Sequence, residues 1–340
     1  MKRTAILLIA AASVFGWKAD AQEKRMAVVE LSSIYMRIQP DYESALETQE
    51  LMGTVVEIVG EKGYWREIVS PQPYRAWATE KGLVEMSAEE IDAYRAARKV
   101  MFKELYGHVY SAPSFSSATR CDLVGGDILR LAGASAAKSG LKGRWTEVML
   151  PSGERGFVPT DELKIHKGFI SIAQGEGSAD SISPETTEAI IAEAERLLKS
   201  PYFWGGMTAK GVDCSGLVRI AHIMNGILLP RNASQQIKCG SRVPMELDLS
   251  FWNEDVRNED EKAVRQEMEA RIRNLERGDL VFFGTPAQNP GGKDRVTHVG
   301  IYLGDGRIIH SSHIVRMNSL LPGSEDYYEN SWRLLGAVRL

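Results

Sequence analysis

The stretch that decides the fold lies between residues 202 and 218. It reads Tyr-Phe-Trp-Gly-Gly at 202–206 and, after a short gap, Gly-Val-Asp-Cys-Ser-Gly-Leu-Val at 211–218. Glycines bound a turn that opens an apolar segment, which predicts a helix beginning close to Cys214. The dipole and the unpaired N–H groups of a helix N-terminus favour a thiolate. Cys214 is therefore a candidate nucleophile.

Two histidines follow on alternating apolar stretches that predict neighbouring strands. His298 lies in Thr-His-Val-Gly-Ile-Tyr-Leu at 297–303, and His310 lies in Arg-Ile-Ile-His-Ser-Ser at 307–312. The Asp-Gly pair at 305–306 is typical of a hairpin turn. Five positions on each side of that turn are expected to pair the two histidines across one face of a sheet. A thiol, a base and a group that orients the base are thus all available.

Five motifs between about residue 202 and residue 312 resemble those of the NlpC/P60 family of papain-like cysteine peptidases, which cut peptides of the bacterial cell wall. They occur in the family's order: Tyr-Phe-Trp-Gly-Gly, Asp-Cys-Ser-Gly, Leu-Pro-Arg-Asn at 229–232, Gly-Asp-Leu-Val-Phe-Phe at 278–283 and His-Val-Gly-Ile-Tyr-Leu-Gly. A lone cysteine is usually a small buried hydrophobe. Five ordered motifs make that interpretation improbable here.

The resemblance implies a role for each chemical group of the site. Cys214 is expected to attack as a thiolate, and His298 to act as base and then as acid. His310 is expected to hold the imidazole of His298 in its working tautomer. The amide N–H of Cys214 and the hydroxyl of Tyr202, which matches a family tyrosine, are candidate oxyanion donors.

Two polar residues flank the nucleophile. Asp213 and Ser215 are expected to line the substrate cleft. An aspartate directly before a helix is equally suited to capping it, so both interpretations of Asp213 stay open.

An internal repeat precedes these motifs. Residues 51–59 and 63–68 read Leu-Met-Gly-Thr-Val-Val-Glu-Ile-Val and Gly-Tyr-Trp-Arg-Glu-Ile, while residues 123–131 and 143–148 read Leu-Val-Gly-Gly-Asp-Ile-Leu-Arg-Leu and Gly-Arg-Trp-Thr-Glu-Val. Short alternating runs between glycine-rich turns predict small antiparallel barrels. The order of the motifs in each copy resembles the bacterial SH3 domain.

The sequence therefore predicts two small all-β SH3-like barrels followed by an α+β papain-like domain. A capping box from Ser87 to Glu90 predicts a connector helix, and a charged stretch at 243–277 interrupts the last domain. The predicted segments are a signal peptide at 1–21, SH3-like domains at 26–86 and 103–166, a connector helix at 87–102, a linker at 167–184 and a catalytic domain at 185–340.

The pairing of two SH3-like units with this peptidase resembles a subgroup that hydrolyses γ-D-glutamyl-L-diamino acid bonds in freed murein peptides. In that subgroup the first SH3 unit binds the free amine of the substrate's N-terminal L-Ala. Glu47 and Tyr74 match the residues that do so. A carboxylate and a hydroxyl suit an ammonium group. The expected partner is thus L-Ala-γ-D-Glu-L-diamino acid, with diaminopimelate or Lys as the diamino acid.

Two other functions stay open at this point. One is an endopeptidase of the intact wall that uses the SH3-like units as anchors. The other is a wall-binding protein with a degenerate catalytic domain, against which the retained cysteine and histidines argue. The sequence leaves the oligomeric state open.

The start of the chain predicts export. Met-Lys-Arg at 1–3, an apolar run at 5–16 and Ala-Asp-Ala at 19–21 are typical of a signal peptide cut before Gln22, and a periplasmic location is expected. The apolar run is too short to remain as a membrane span. Cleavage takes the formal charge from −4 to −6. A mildly acidic protein has no electrostatic reason to bind nucleic acid.

The cysteines predict no metal site. Cys121, Cys214 and Cys239 lack the paired short spacings of zinc ligands. Free thiols are expected for Cys121 and Cys239, with a disulfide between them as the alternative that export permits. Neither a metal nor a cofactor is expected.

Overall fold

The computed structural model describes residues 24–133, 140–175, 182–287, 289 and 292–340. The predicted signal peptide lies outside the described residues, as does part of the predicted linker. No helix of the described residues is long and apolar enough to cross a membrane. The three cysteines form no disulfide bond, in agreement with the expectation of free thiols.

The first copy of the repeat folds into a seven-stranded antiparallel sheet. In this sheet β3 stands at one end of the strand order, which is β3-β2-β6-β5-β4-β1-β7. The strands are β1 (Arg25–Val29), β2 (Ser33–Arg37), β3 (Leu46–Leu51), β4 (Val55–Lys62), β5 (Trp65–Ser70), β6 (Tyr74–Thr79) and β7 (Leu83–Met86). A short 3₁₀ helix, Glu80–Gly82, precedes β7.

The second copy folds into a sheet with the same strand order, β10-β9-β13-β12-β11-β8-β14. The internal repeat is thereby confirmed as a structural repeat, and the SH3-like barrel stays a prediction for both sheets. The strands are β8 (Lys99–Phe102), β9 (Tyr106–Tyr110), β10 (Thr119–Val124), β11 (Ile128–Leu131), β12 (Trp145–Met149), β13 (Arg155–Pro159) and β14 (Leu163–His166), with a 3₁₀ helix at Thr160–Glu162.

Helix α1 (Ala88–Ala96) connects the two sheets. Ser87 and Glu90 form the predicted capping box. The helix is shorter than the predicted connector, because Lys99–Phe102 pairs with β11 and β14 as the first strand of the second sheet. The apolar side chains of this strand are buried in the core of the second sheet and its surroundings, so tertiary packing ends the connector early.

The C-terminal part is α+β, with a six-stranded antiparallel sheet in the order β19-β24-β20-β21-β22-β23. Its elements are β15 (Ile170–Ser171), α2 (Pro184–Arg196), β16 (Met207–Thr208), β17 (Gly211–Val212), α3 (Cys214–Ile223), β18 (Ile227–Leu228), α4 (Ala233–Gln236), β19 (Ser241–Val243), α5 (Glu254–Glu259), α6 (Glu261–Ile272), β20 (Leu280–Thr285), β21 (Arg295–Gly304), β22 (Arg307–Ser312), β23 (Ile314–Ser319) and β24 (Leu334–Arg339), with 3₁₀ helices at Leu249–Trp252 and Ser331–Arg333.

Helix α3 is the centre of the C-terminal core. Every residue of this helix is buried. Its apolar side chains share one cluster with Val299, Ile301 and Ile309 of strands β21 and β22. This packing sets the start of α3 against the strands that carry the two histidines.

Strand β3 of the first sheet docks on the C-terminal part through polar side chains. Thr48, Gln49 and Glu50 are consecutive and buried. Each has a partner across the boundary: Arg231 Nε donates to Thr48 Oγ1 at 2.7 Å, the N–H of Met207 donates to Gln49 Oε1 at 2.8 Å, and Arg219 Nη1 donates to Glu50 Oε1 at 3.2 Å. This polar stretch has the composition of an exposed strand, but it is buried in the interface between the first sheet and the C-terminal part.

The charged stretch at 243–277 packs on the sheet. Helix α6 buries Val264, Met268 and Arg271, and Met268 joins a cluster with Phe283 of β20. The indole N–H of Trp252 donates to the carbonyl oxygen of Gly284 at 3.1 Å. This segment therefore packs on one face of the sheet, over strand β20.

Candidate active site

Cys214 occupies the first position of helix α3, as the sequence predicts. Its side chain is only 8% exposed. Asp213 caps the helix, because its Oδ1 accepts the N–H of Gly216 at 2.7 Å. Asp213 is therefore a helix cap in the structure, one of the two roles considered for it.

The carboxylate of Asp213 has further protein partners on both oxygens. Arg231 donates to Oδ2 at 2.6 Å and to Oδ1 at 3.0 Å, and the N–H of Gly205 donates to Oδ2 at 2.9 Å. Ser215 Oγ donates to Oδ1 at 3.2 Å and accepts from Arg231 at 2.8 Å. Asp213 and Ser215 thus fix the turn around Cys214, and their contact with substrate stays a prediction.

The surroundings of the sulfur disfavour a resting thiolate. Burial raises the pKa of the Cys214 thiol to about 11, and the charge of Asp213 acts in the same direction. The N–H groups of Val299 and Ser215 hydrogen-bond to the sulfur and lower this pKa in part. Desolvation therefore outweighs the helix N-terminus, and the proton of the thiol has to be taken by a base.

The two histidines meet across the predicted hairpin. His298 Nε2 lies 2.7 Å from His310 Nδ1. The predicted register is wrong, however, because the turn at 305–306 is not midway between the two histidines, and the residue opposite His310 is Gly300. A Cβ at Gly300 would approach the Cβ of His310 to 3.2 Å. The glycine leaves the space through which the two rings approach diagonally.

Asn318 on strand β23 orients the histidine pair, and no motif of the sequence pointed to it. Its Oδ1 lies 2.9 Å from His310 Nε2, while its Nδ2 donates to the carbonyl oxygen of Asp326 at 2.6 Å. Because the amide NH₂ donates to that carbonyl, Oδ1 must accept a hydrogen bond from the Nε2–H of His310. His310 Nδ1 then accepts from His298 Nε2, and the lone pair of His298 is on Nδ1.

Both histidines are neutral at neutral pH. Burial lowers the pKa of His298 to about 3, and repulsion from His310, Arg333 and Arg316 acts in the same direction. Burial also lowers the pKa of His310 to about 4, although its hydrogen bond to Asn318 opposes the shift. The resting site is therefore a neutral thiol beside a neutral imidazole.

Aromatic rings complete the surroundings of the site. The ring of Tyr328 packs edge-on against His310, with centroids 4.6 Å apart. Burial raises the pKa of the Tyr202 hydroxyl, and the neighbouring Cys214 and Asp213 add to the shift. Tyr202 thus lies in the surroundings of the nucleophile, and its oxyanion role stays a prediction.

The structure brings Glu47 and Tyr74 together. The Tyr74 hydroxyl donates to Glu47 Oε2. Burial raises the pKa of Tyr74 to about 12, the bond to Glu47 adds to this, and a hydrogen bond with Asn232 opposes it. Gly205 has φ +77°, and a Cβ there would lie 3.1 Å from the carbonyl oxygen of Glu47. The loop before Cys214 therefore lies directly against Glu47.

The C-terminal part is similar to a known protein family. Residues 199–334 match the model of the NlpC/P60 family. The chain is 25% identical to the γ-D-glutamyl-L-lysine dipeptidyl-peptidase of Bacillus cereus over 82% of this chain and 70% of that protein. It is also 25% identical to the enzyme of the same name from Bacillus subtilis, over 87% of this chain and 81% of that protein.

Two further comparisons agree. Dipeptidyl-peptidase 6 of Lysinibacillus sphaericus is 24% identical over 83% of this chain and 87% of that protein. The crystal structure of an NlpC/P60 family protein from Bacillus cereus superposes with a TM-score of 0.65 at 20% identity, covering 92% of this chain and 99% of that chain. The fold thus extends across the described chain and not only its C-terminal part.

Proposed function

We propose that this chain, whose residues 199–334 match the NlpC/P60 family model, hydrolyses the bond between γ-D-glutamate and the L-diamino acid in murein peptides with a free N-terminal L-Ala. The observation that carries the proposal is the Glu47–Tyr74 pair, which the first sheet brings to the loop beside Cys214. The names of the two Bacillus relatives support the same bond.

In the proposed reaction, His298 Nδ1 takes the proton of Cys214 as the sulfur attacks the carbonyl carbon of the scissile amide. The oxyanion that forms accepts hydrogen bonds from the N–H of Cys214 and the hydroxyl of Tyr202. The imidazolium of His298 then protonates the leaving amine, and the carbon–nitrogen bond breaks to give a thioester. Water, deprotonated by His298, hydrolyses this thioester and regenerates the thiol.

His310 acts as a positioning residue in this scheme. Its Nδ1 accepts a hydrogen bond from the Nε2–H of His298 and so keeps the lone pair of His298 on Nδ1. A neutral partner stabilises the imidazolium less than a carboxylate does. The tautomer, rather than the charge, is what His310 supplies.

The two N-terminal sheets have a place in the same proposal as SH3-like domains. The first supplies Glu47 and Tyr74, and its strand β3 is held by the buried pairs with Arg231 and Arg219. The predicted signal peptide adds the proposal that the enzyme is exported to the periplasm, where released wall peptides occur. Mass spectrometry of products from free tripeptide and from intact sacculi tests the substrate.

The amine pocket gives the first prediction. If Glu47 pairs with the substrate ammonium in a partly desolvated cleft, Glu47→Gln costs about 2–5 kcal/mol, which is roughly 30- to 5,000-fold in kcat/KM. Acetylating the amine of L-Ala-γ-D-Glu-L-Lys causes a loss of similar order in the wild type. The two changes together are less than multiplicative, because both remove one interaction.

The matched control for this measurement is Glu43→Gln, an exposed glutamate on the turn before β3. Its kcat/KM is expected to equal that of the wild type. Equal rates of the wild type on the free and the acetylated peptide contradict the amine pocket. That outcome favours an endopeptidase of the intact wall, in which muramic acid acylates the L-Ala.

Asn318 gives a second prediction. Asn318→Leu removes the acceptor that fixes the His310 tautomer, so kcat/KM falls about 10- to 100-fold with little change in KM. Asn318→Asp restores the acceptor, and its carboxylate raises the pKa of His310. A doubly protonated His310 cannot accept from His298, so the acidic limb of the pH–rate profile moves to higher pH.

The pH profile separates orientation from a structural role. Loss of packing alone lowers the rate of both variants and leaves the position of the acidic limb unchanged. Such a result would show that Asn318 supports the strand and does not set the tautomer.

A further inference from the structure

The proposed reaction fixes which part of the substrate lies beside the histidines. His298 protonates the departing nitrogen, so that nitrogen must come within hydrogen-bond distance of the imidazole. The α-carboxylate of the leaving diamino acid is bound to the carbon next to that nitrogen. We therefore expect charged groups close to the histidine pair to face the leaving residue.

Arg316 is one of the groups around the histidine pair. It is directly opposite His310 in the pairing of β22 with β23, so the two side chains share a face of the sheet. Its Nε is buried and has no hydrogen-bond partner. Among the described residues, Arg316 forms no ion pair with a carboxylate. A buried guanidinium N–H without an acceptor is costly unless a ligand supplies one.

Arg333 is the second group. Its Nη2 reaches the hydroxyl of Thr297 at 3.4 Å, and its Nε reaches the carbonyl oxygen of Gly284 at 3.4 Å. Both contacts are long, and both acceptors are uncharged. Thr297 precedes His298 in β21, and the charge of Arg333 lowers the pKa of His298. In the described part of the chain no carboxylate neutralises this arginine.

We propose that Arg316 and Arg333 bind a carboxylate of the leaving diamino acid, so that the enzyme selects peptides that carry this charge. The inference rests on the proposed function and extends it to the other side of the scissile bond. A guanidinium matches the planar geometry of a carboxylate and can donate two hydrogen bonds to it. The carboxylate is either the α-carboxylate of a diamino acid that ends the peptide or the side-chain carboxylate of diaminopimelate.

The electrostatics of the site favour the same ligand. Both arginines repel the imidazolium that His298 becomes during the reaction. A bound carboxylate cancels that repulsion at the step that needs the imidazolium. The substrate's own charge then contributes to the rate, and not only to binding.

The test compares kcat/KM on four peptides. They are L-Ala-γ-D-Glu-L-Lys, its C-terminal amide, L-Ala-γ-D-Glu-meso-diaminopimelate and the α-amide of that peptide, which keeps the side-chain carboxylate. We expect the wild type to cleave the Lys acid about 10- to 100-fold faster than the Lys amide if the α-carboxylate is the ligand. If the side-chain carboxylate is the ligand, both diaminopimelate peptides exceed both Lys peptides by that factor.

The variants are Arg316→Gln, Arg316→Lys and Arg333→Gln, with Arg242→Gln as the matched control. Arg242 is an exposed arginine of β19, on the opposite edge of the same sheet. Each glutamine variant at 316 and 333 is expected to lose about 10-fold or more on the preferred carboxylate peptide and little on the matching amide. Arg316→Lys keeps part of the preference. Thermal unfolding identifies a variant that fails to fold. If the Arg316 variants do not fold, Arg333→Gln and the wild-type rates on the four peptides test the carboxylate site.

The outcomes separate the inference from the function. Equal wild-type rates on all four peptides overturn the carboxylate site and leave the cleaved bond as proposed. Equal losses on acid and amide in the arginine variants also overturn it, because a structural role does not distinguish the peptides. If the wild type cleaves none of the four, the proposed function falls and the carboxylate site falls with it.

Discussion

Cys214→Ala abolishes turnover of L-Ala-γ-D-Glu-L-Lys, lowering kcat by at least about 10⁴-fold. The substitution removes the atom that attacks, and no neighbouring group can replace it, because Ser215 is bound to Asp213 and Arg231. The fold remains, since the side chain at the start of α3 loses one buried atom while the cap at Asp213 is kept. Mass spectrometry of the products and thermal unfolding measure the two parts of this prediction.

Matched controls exist within the chain. Cys121→Ala and Cys239→Ala remove the other two free thiols, and both variants are expected to stay active. Cys121 belongs to strand β10 of the second sheet, and the Cys239 thiol donates to backbone carbonyl oxygens, those of Ile172 and Gln235. Unchanged turnover in Cys214→Ala would end the cysteine-peptidase mechanism. Loss of activity in Cys239→Ala with an intact fold would show that a second thiol takes part.

The features that sequence predicted well depend on neighbours in the chain. Cys214 at a helix start, the capping box before α1 and the tight turn before β22 each follow from residues within a few positions of one another. The α+β class of the C-terminal part was predicted from the order of the five family motifs. The repeat supplied the common strand order of the two N-terminal sheets.

The features that sequence missed depend on register and docking. The predicted pairing of His298 with His310 failed because the turn is at residues 305–306 and not at residue 304, midway between the two histidines. Asn318 reaches His310 only through the register of β22 with β23. Thr48 and Glu50 are polar residues of the kind expected at the surface. In the structure they are bound by Arg231 and Arg219, which are far away in the sequence. No local pattern contains such contacts.

The sequence also predicted a Cys214 thiolate, and this prediction failed because it left out the energetic cost of burial. A helix N-terminus stabilises an anion by roughly 0.3–2 kcal/mol, whereas burial opposes charge with shifts of up to several pKa units. The pKa of Cys214, raised to about 11, shows that burial is the larger effect. Burial is a property of the folded chain, so the motif alone could not reveal it. A base that removes the proton is therefore essential.

His298→Ala removes that base and, in the second step, the acid. Each proton transfer is worth about 10²–10⁴-fold, so kcat/KM on the tripeptide falls by at least about 10³-fold. His310→Gln keeps an acceptor for the Nε2 proton of His298, so its loss is about 10-fold. Steady-state kinetics on the same peptide rank the two variants, and the reverse order would contradict the assignment of base and positioning residue.

The pH profile of His310→Gln tests the arrangement further. His310 lowers the pKa of His298 by repulsion between the two rings, so removing it raises the pKa of His298. A base must be neutral to accept a proton, and a higher pKa means that His298 becomes protonated at a higher pH. The acidic limb of kcat/KM in His310→Gln therefore moves upward relative to the wild type. A downward shift would mean that His310 stabilises the imidazolium as a charge partner, and the tautomer argument built on Asn318 would be wrong.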